Sequence, residues 1–197
     1  MKYTDFIKII PDRVNNDVLN LCKQQLSERS FKNILRLIIN TYLQLRFKFL
    51  YLGEGFRGSI GKGWFVKRRS LKIGNFVSIA NNFYVVHPLV IGDLTMIARN
   101  VSFVGNDHSY DHVGLPMRIS QPKEKEISVI DSEVWIGQNS IIFDGVHIGR
   151  GSIIAAGSVV LDNIPPYVIA GGVPAKIIKR RFSNINDEKE HIKNLYS

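Results

Sequence analysis

Residues 130–160 read IDSEVWIGQNSIIFDGVHIGRGSIIAAGSVV, and within them Ile130, Ile136, Ile142, Ile148, Ile154 and Val160 stand six residues apart without a break. The same step recurs upstream at Ile73, Ile79, Val85, Ile91, Ile97 and Phe103. An apolar residue at every sixth position, with a small or β-branched residue four places on, matches neither the 3.6 period of a helix nor the strict alternation of a hairpin. It suits a coil of short flat strands joined by tight corners. The recurring aliphatics then stack inward on those of neighbouring coils, while Gly and Asn turn the corners. Stacked repeats of this kind bury a continuous core that no single repeat could bury.

The two runs are out of phase, because Phe103 to Ile130 spans 27 residues, four repeats and three more. The intervening stretch, about 105–128, contains Pro116, Pro122 and the run Lys123-Glu124-Lys125-Glu126, and reads as a loop extruded from the coil. Upstream, Ile60 and Val66 keep the period but the next position slips to Ile73, so an imperfect first coil is expected to begin near residue 60. From Asn16 to about Leu52 the spacing is helical, with no Gly or Pro between Asp12 and Leu52 and a break near Ser27–Ser30. The expected organisation is a helical segment over 1–58, a coil over 59–182, and a C-terminal helix or tail over 183–197.

The chain of 197 residues is 45% hydrophobic and 22% charged, the balance of a single soluble domain rather than a disordered, collagen-like or polytopic membrane protein. Its net charge of +9 is unevenly placed. Residues 1–72 hold fifteen basic and five acidic residues, whereas 73–197 hold eleven and twelve. Cys22 is the one cysteine, which excludes an intramolecular disulfide and a Cys-rich zinc module and fits a reducing compartment. The start of the chain lacks the apolar stretch of a signal peptide. The most apolar segment, Phe31 to Leu52, is interrupted by Lys32, Arg36, Arg46 and Lys48 and is too broken to span a bilayer. A cytoplasmic location is the expectation.

The hexads, the histidine-bearing loop and the ending IPPYVIAGGVPAKIIKRR at 164–181 resemble the hexapeptide-repeat acyltransferases. Val134-Trp135-Ile136-Gly137 with Ala170-Gly171-Gly172-Val173-Pro174 points to the branch holding galactoside, maltose, xenobiotic and surface-polysaccharide O-acetyltransferases. The likeness covers about residues 60 to 182. It implies a left-handed parallel β-helix with three strands per turn and a homotrimer whose active sites lie between subunits. Twelve repeats would make four coils, roughly 19 Å tall at the ~4.8 Å strand spacing. It also implies acetyl-CoA as donor, no metal requirement, and a sugar hydroxyl as acceptor in polysaccharide assembly.

Acetyl transfer to a hydroxyl needs a base, and a neutral imidazole suits cytosolic pH. Only His108 and His112 of the five histidines lie in the loop; the resemblance places the catalytic histidine at the loop's start, which is His108. His87 and His147 fall at positions that do not point inward, and are expected in solvent. Asp107, Tyr110 and Asp111 are candidates for binding the acceptor or orienting His108, with Asp107 and Asp111 equally eligible. By the same resemblance Gln138 lies near the thioester, Ala156 and Gly157 lie along the pantetheine arm, and Lys176, Lys179 and Arg180 meet the phosphates. Lysine lacks the bidentate fork of arginine, so tighter phosphate contacts would fall to Arg180 or Arg181. Leu161-Asp162 departs from the family's Thr-Lys.

Three other readings use the same residues. Acetylation of a nucleotide-linked amino sugar is the nearest, although residues 1–52 contain no glycine for the Rossmann-like domain that several such enzymes carry. A metal enzyme like the γ-class carbonic anhydrases would need His87, His108 and His112 at spacings unlike that class. Binding of nucleic acid through Lys67-Arg68-Arg69 beside Trp64 and Phe65 has no recognisable module behind it, and no nucleic-acid partner is expected. The basic stretch at residues 30–53 either packs against the coil or rests on the inner membrane leaflet, where the acceptor would be a lipid-linked glycan.

Overall fold

The computed structural model describes residues 14–27, 50–52, 59–66, 71–105, 108–121 and 126–196. Its strands form three flat parallel walls. The first wall stacks Leu50–Leu52, Leu71–Ile73, Leu89–Ile91, Ser128–Ile130 and His147–Ile148. The second stacks Ser59–Ile60, Ser78–Ile79, Met96–Ile97, Trp135–Ile136, Ile153–Ile154 and Val168–Gly172, and ends in the antiparallel Ala175–Arg180. The third stacks Phe65–Val66, Tyr84–Val85, Ser102–Val104, Ile141–Phe143 and Val159–Val160. Apart from the terminal antiparallel pair, consecutive strands in sequence lie on different walls, and neighbours within a wall come from successive turns. This is the left-handed parallel β-helix of hexapeptide repeats.

Register explains the hexads. Ile73 pairs with Ile91, Ile91 with Ile130 and Ile130 with Ile148; Ile79 pairs with Ile97, Ile97 with Ile136 and Ile136 with Ile154; Val85, Phe103, Ile142 and Val160 form the third file. All twelve are at most 3% exposed and belong to one core cluster. A turn consumes 18 residues, as from Ile73 to Ile91, and the separation grows to 39 between Ile91 and Ile130 because the loop leaves there. The phase slip thus marks an excursion that leaves from the third wall and rejoins the coil on the first, one turn above Ile91.

The coil is taller than the hexads predict. Leu50–Leu52, within the stretch whose spacing reads as helix, is a strand paired with Leu71–Ile73, so a first turn precedes residue 59. Leu-Tyr-Leu satisfies a three-residue strand as readily as the end of an apolar helix face, and pairing with the next coil decides for the strand. Five turns result, roughly 24 Å at the ~4.8 Å strand spacing.

Among the described residues two helices lie at the C-terminal end: α1, Asn16–Ser27, and α2, Ile185–Tyr196. Each starts on an asparagine cap. Asn15 Oδ1 accepts from Asp17 N at 2.9 Å and Asn184 Oδ1 from Asn186 N at 2.9 Å. The Asn15 amide donates to the Leu195 carbonyl at 2.6 Å, bringing α1 to the end of α2 with Val14 and Leu19 buried. Glu133, at a corner of the coil, anchors α2. It accepts from His191 Nε2 at 2.9 Å and pairs with Arg181 at 2.8 Å. Arg150 lies 4.3 Å from the centre of the Tyr196 ring. Burial, with the Glu133 carboxylate adding to it, pushes the Tyr196 phenol well above its ordinary range.

Candidate active site

The loop begins after Ser102–Val104, the last strand of the third wall before the break, and its base is closed by short contacts. Ser109 N donates to Gln121 O at 3.2 Å, and the Ser120 hydroxyl donates to the carbonyls of Met117, at 2.7 Å, and Ser109. Ser120 is 5% exposed, so this hydroxyl is a buried tie between the two limbs. His108 is exposed and its Nδ1 lies 3.0 Å from the Ser120 carbonyl oxygen. A carbonyl only accepts, so Nδ1 carries the proton and Nε2 keeps the lone pair. The loop thereby presents an exposed imidazole whose neutral form has Nε2 as its basic nitrogen.

The partner of Nδ1 among the described residues is thus a backbone carbonyl, whereas the sequence puts forward Asp107 or Asp111 for orienting His108. Asp107 lies outside the described residues. Asp111, Tyr110 and His112 are exposed in the loop, and neither Asp111 nor Tyr110 is the recorded partner of His108 Nδ1. Ser120 leaves no signature in a motif search, because the contact uses an atom every residue carries.

His87 differs from expectation. It is fully buried, with Nε2 2.8 Å from Ser128 Oγ and its ring set edge-on to Phe103 at 6.2 Å. The corner before Leu89 turns this side chain inward, and Ser128, where the loop rejoins the coil, supplies the polar partner that makes burial tolerable. His147 is half exposed and lies 3.0 Å from Asp131. Among the described residues no three His, Cys, Asp or Glu side chains gather as a metal site. Trp64 is partly buried against the core, donating from Nε1 to Ala80 O at 3.2 Å and lying 5.0 Å from the Phe83 ring. Lys67, Arg68 and Arg69 lie outside the described residues, as does most of 30–53. No described helix is long and apolar enough to cross a membrane.

Gln138 and Ala156 occupy equivalent corner positions on successive turns, since Gly157 N donates to Gln138 O at 2.8 Å. Gln138, Ala156 and Gly157 are all exposed, and a side chain built at Gly157 would meet no atom within 4 Å. Gln138 and Ala156 thus line an open corner with room for an extended ligand. Lys176 and Lys179 project into solvent from Ala175–Arg180, Lys176 with a loose 3.5 Å contact to Asp162.

The arginines next to these lysines are already engaged. Arg181 bonds Glu133 and the Gly151 carbonyl, and Arg180 makes two bonds, 2.8 and 2.6 Å, to the Glu188 carboxylate. Glu188 is nearly buried, so losing its partner strands a desolvated charge. Arg180→Ala is expected to lower stability by about 1–2 kcal/mol through loosening of α2. Denaturant unfolding measures this, and an unchanged midpoint would refute it.

A parallel β-helix of hexads carrying a histidine-bearing loop is the framework of acyl-transfer enzymes. No family model matches the chain. It is 40% identical over 121 residues to a probable macrolide acetyltransferase of Lysinibacillus sphaericus, covering 54% of this chain and 66% of that protein. It is 35% identical over 126 residues to the galactoside O-acetyltransferase of Escherichia coli, covering 60% and 59%. The chain thus spans 66% and 59% of the length of these two relatives, less than two thirds of either. The crystal structure of a hexapeptide-repeat acetyltransferase from Vibrio cholerae superposes with a TM-score of 0.54 and 31% identity over 63% of this chain and 74% of that one. The same Vibrio protein complexed with acetyl-CoA gives 0.61 at 28% identity, covering 69% and 74%. The chain belongs to the hexapeptide-repeat acetyltransferase family.

Proposed function

We propose that this protein is an acetyl-CoA-dependent O-acetyltransferase acting on a sugar hydroxyl in surface-polysaccharide assembly. The observation that carries the reading is His108, held by the Ser120 carbonyl at Nδ1 with Nε2 left basic. Nε2 takes the acceptor's hydroxyl proton as its oxygen attacks, and the Ser120 carbonyl steadies the imidazolium that forms. Backbone amides near Gln138 meet the negative charge that develops on the acyl oxygen. The corner at Ala156 and Gly157 fits a pantetheine arm, being open and bare of side chains. Lys176 and Lys179 hold phosphates, with Arg180 behind them anchored on Glu188. Acetyl-CoA supplies the activated acyl group.

Tyr110 and Asp111, exposed beside His108, bind the acceptor, and Asp107 belongs to the same loop. The protein acts as a cytoplasmic homotrimer, with the basic stretch 30–53 resting on anionic lipid at the inner face of the membrane. Flotation on liposomes is expected to recover it only when anionic lipid is present, and equal recovery without that lipid would reject the membrane contact.

The deciding experiment is CoA release from acetyl-CoA across a panel of sugars, amino sugars and lipid-linked glycans, followed by NMR of the product. An acetyl ester on a sugar hydroxyl is the expected outcome. An acetamide would transfer the reading to an amino sugar, and no CoA release with any acceptor would overturn it.

A further inference from the structure

At the corner between the second and third walls, one backbone position per turn adopts left-handed φ: Gly63 (74°), Asn82 (60°), Asn100 (59°), Asn139 (61°) and Gly157 (72°). Backbone bonds hold these corners in register. Asn100 N donates to Asn81 O at 3.0 Å, Asn139 N to Arg99 O at 3.1 Å and Gly157 N to Gln138 O at 2.8 Å. Within the file the carboxamides form a chain. Asn82 Nδ2 donates to Asn100 Oδ1 at 2.9 Å, and Asn100 Nδ2 to Asn139 Oδ1 at 2.9 Å. Each oxygen faces the turn before and each amino group the turn after.

Both ends of the file are glycine, but they are not equivalent. The space a side chain would need at Gly63 is taken by the Asn82 oxygen. The corresponding space at Gly157 is empty to 4 Å. Continuing the same pattern by one step would carry Asn139 Nδ2 toward that opening, where glycine offers no side-chain acceptor. The backbone does not require glycine at this position, since asparagine occupies the same left-handed conformation three times in the file. What the notch accommodates is a slender extended chain with a carbonyl to receive the Asn139 amide.

We propose that Asn139 positions the donor: its Nδ2 donates to an amide carbonyl of the pantetheine arm as the arm passes Gly157. This rests on the acetyl-CoA reading above and adds to it a specific donor and a reason for the file to stop. Gly157→Asn continues the file, so the variant should fold with an undiminished melting temperature, while its side chain fills the notch and consumes the Asn139 donor. Asn139→Asp keeps an acceptor for Asn100 but replaces the outward donor with an acceptor.

The measurement is calorimetric titration of each protein with CoA and with adenosine 3′,5′-bisphosphate, which has the phosphates without the arm. Loss of a hydrogen bond that leaves a polar group unmet predicts CoA binding weakened about tenfold or more in both variants, with bisphosphate binding unchanged. Unchanged CoA affinity in both variants overturns the proposal and leaves the acetyl-CoA reading standing, as does an equal loss of both ligands, which would assign Asn139 to folding alone. Failure of the unaltered protein to bind CoA overturns that reading, and this proposal with it. Should Gly157→Asn misfold, the Asn139→Asp contrast between the two ligands decides.

Discussion

Replacing His108 with Ala is expected to lower acetyl transfer by about 10²–10⁴, the contribution typical of a positioned general base, while the protein folds as before. The two parts of this expectation come from different features. His108 is exposed, and the base of the loop is tied by the Ser120 hydroxyl and by Ser109 N to Gln121 O, none of which needs the imidazole. On the proposed mechanism the activity depends on Nε2, which holds the lone pair of the neutral imidazole when Nδ1–H meets a carbonyl that cannot donate. Single-turnover CoA release beside a melting curve separates them. Activity retained by His108→Ala would move the base to His112, the other imidazole of the loop.

Ile136→Ala is expected to destabilise the protein by about 2–5 kcal/mol, against about 0.5–1.5 for Ile136→Val. Ile136 is fully buried and stacked in register between Ile97 and Ile154, at a level of the coil that rests on turns above and below. Alanine leaves a cavity that neighbours held by flat parallel strands can close only in part. Valine keeps the β-branch and most of the volume. Denaturant midpoints at a common slope measure both, and equal losses for the two variants would show that the file yields by rearrangement rather than by holding a void.

The coil was legible because an inward position on a flat wall has few solutions: an aliphatic or aromatic side chain whose volume repeats every turn. Ile73 through Val160 therefore declare the fold letter by letter, and the slip between Phe103 and Ile130 declares the loop. His108 comes forward through the resemblance, which puts the family's histidine at the loop's start. Its contact with Ser120 is not legible, because Ser120 meets it through a backbone oxygen. The inward turn of His87 depends on Ser128, 41 residues away, and no local spacing encodes that pair. Arg180 and Arg181 come forward as phosphate ligands from the resemblance alone, and their ion pairs within the chain are a separate matter that the sequence does not announce. Their partners Glu188 and Glu133 come from α2 and from a distant corner, whose docking follows no repeat.

The bond between Asn15 and Leu195 bears on the order in which the molecule can assemble. Contacts inside the coil join residues about one turn apart, as Ile73 to Ile91, so each turn can settle on its predecessor while synthesis continues. The bond between the start of α1 and the end of α2 is of another kind. Asn15 must wait for a segment some 180 positions later, and until it emerges its amide lacks the Leu195 carbonyl. A ribosome-bound chain stalled before α2 should therefore carry a protease-resistant coil and a cleavable α1, with that bond closing as the last event of folding.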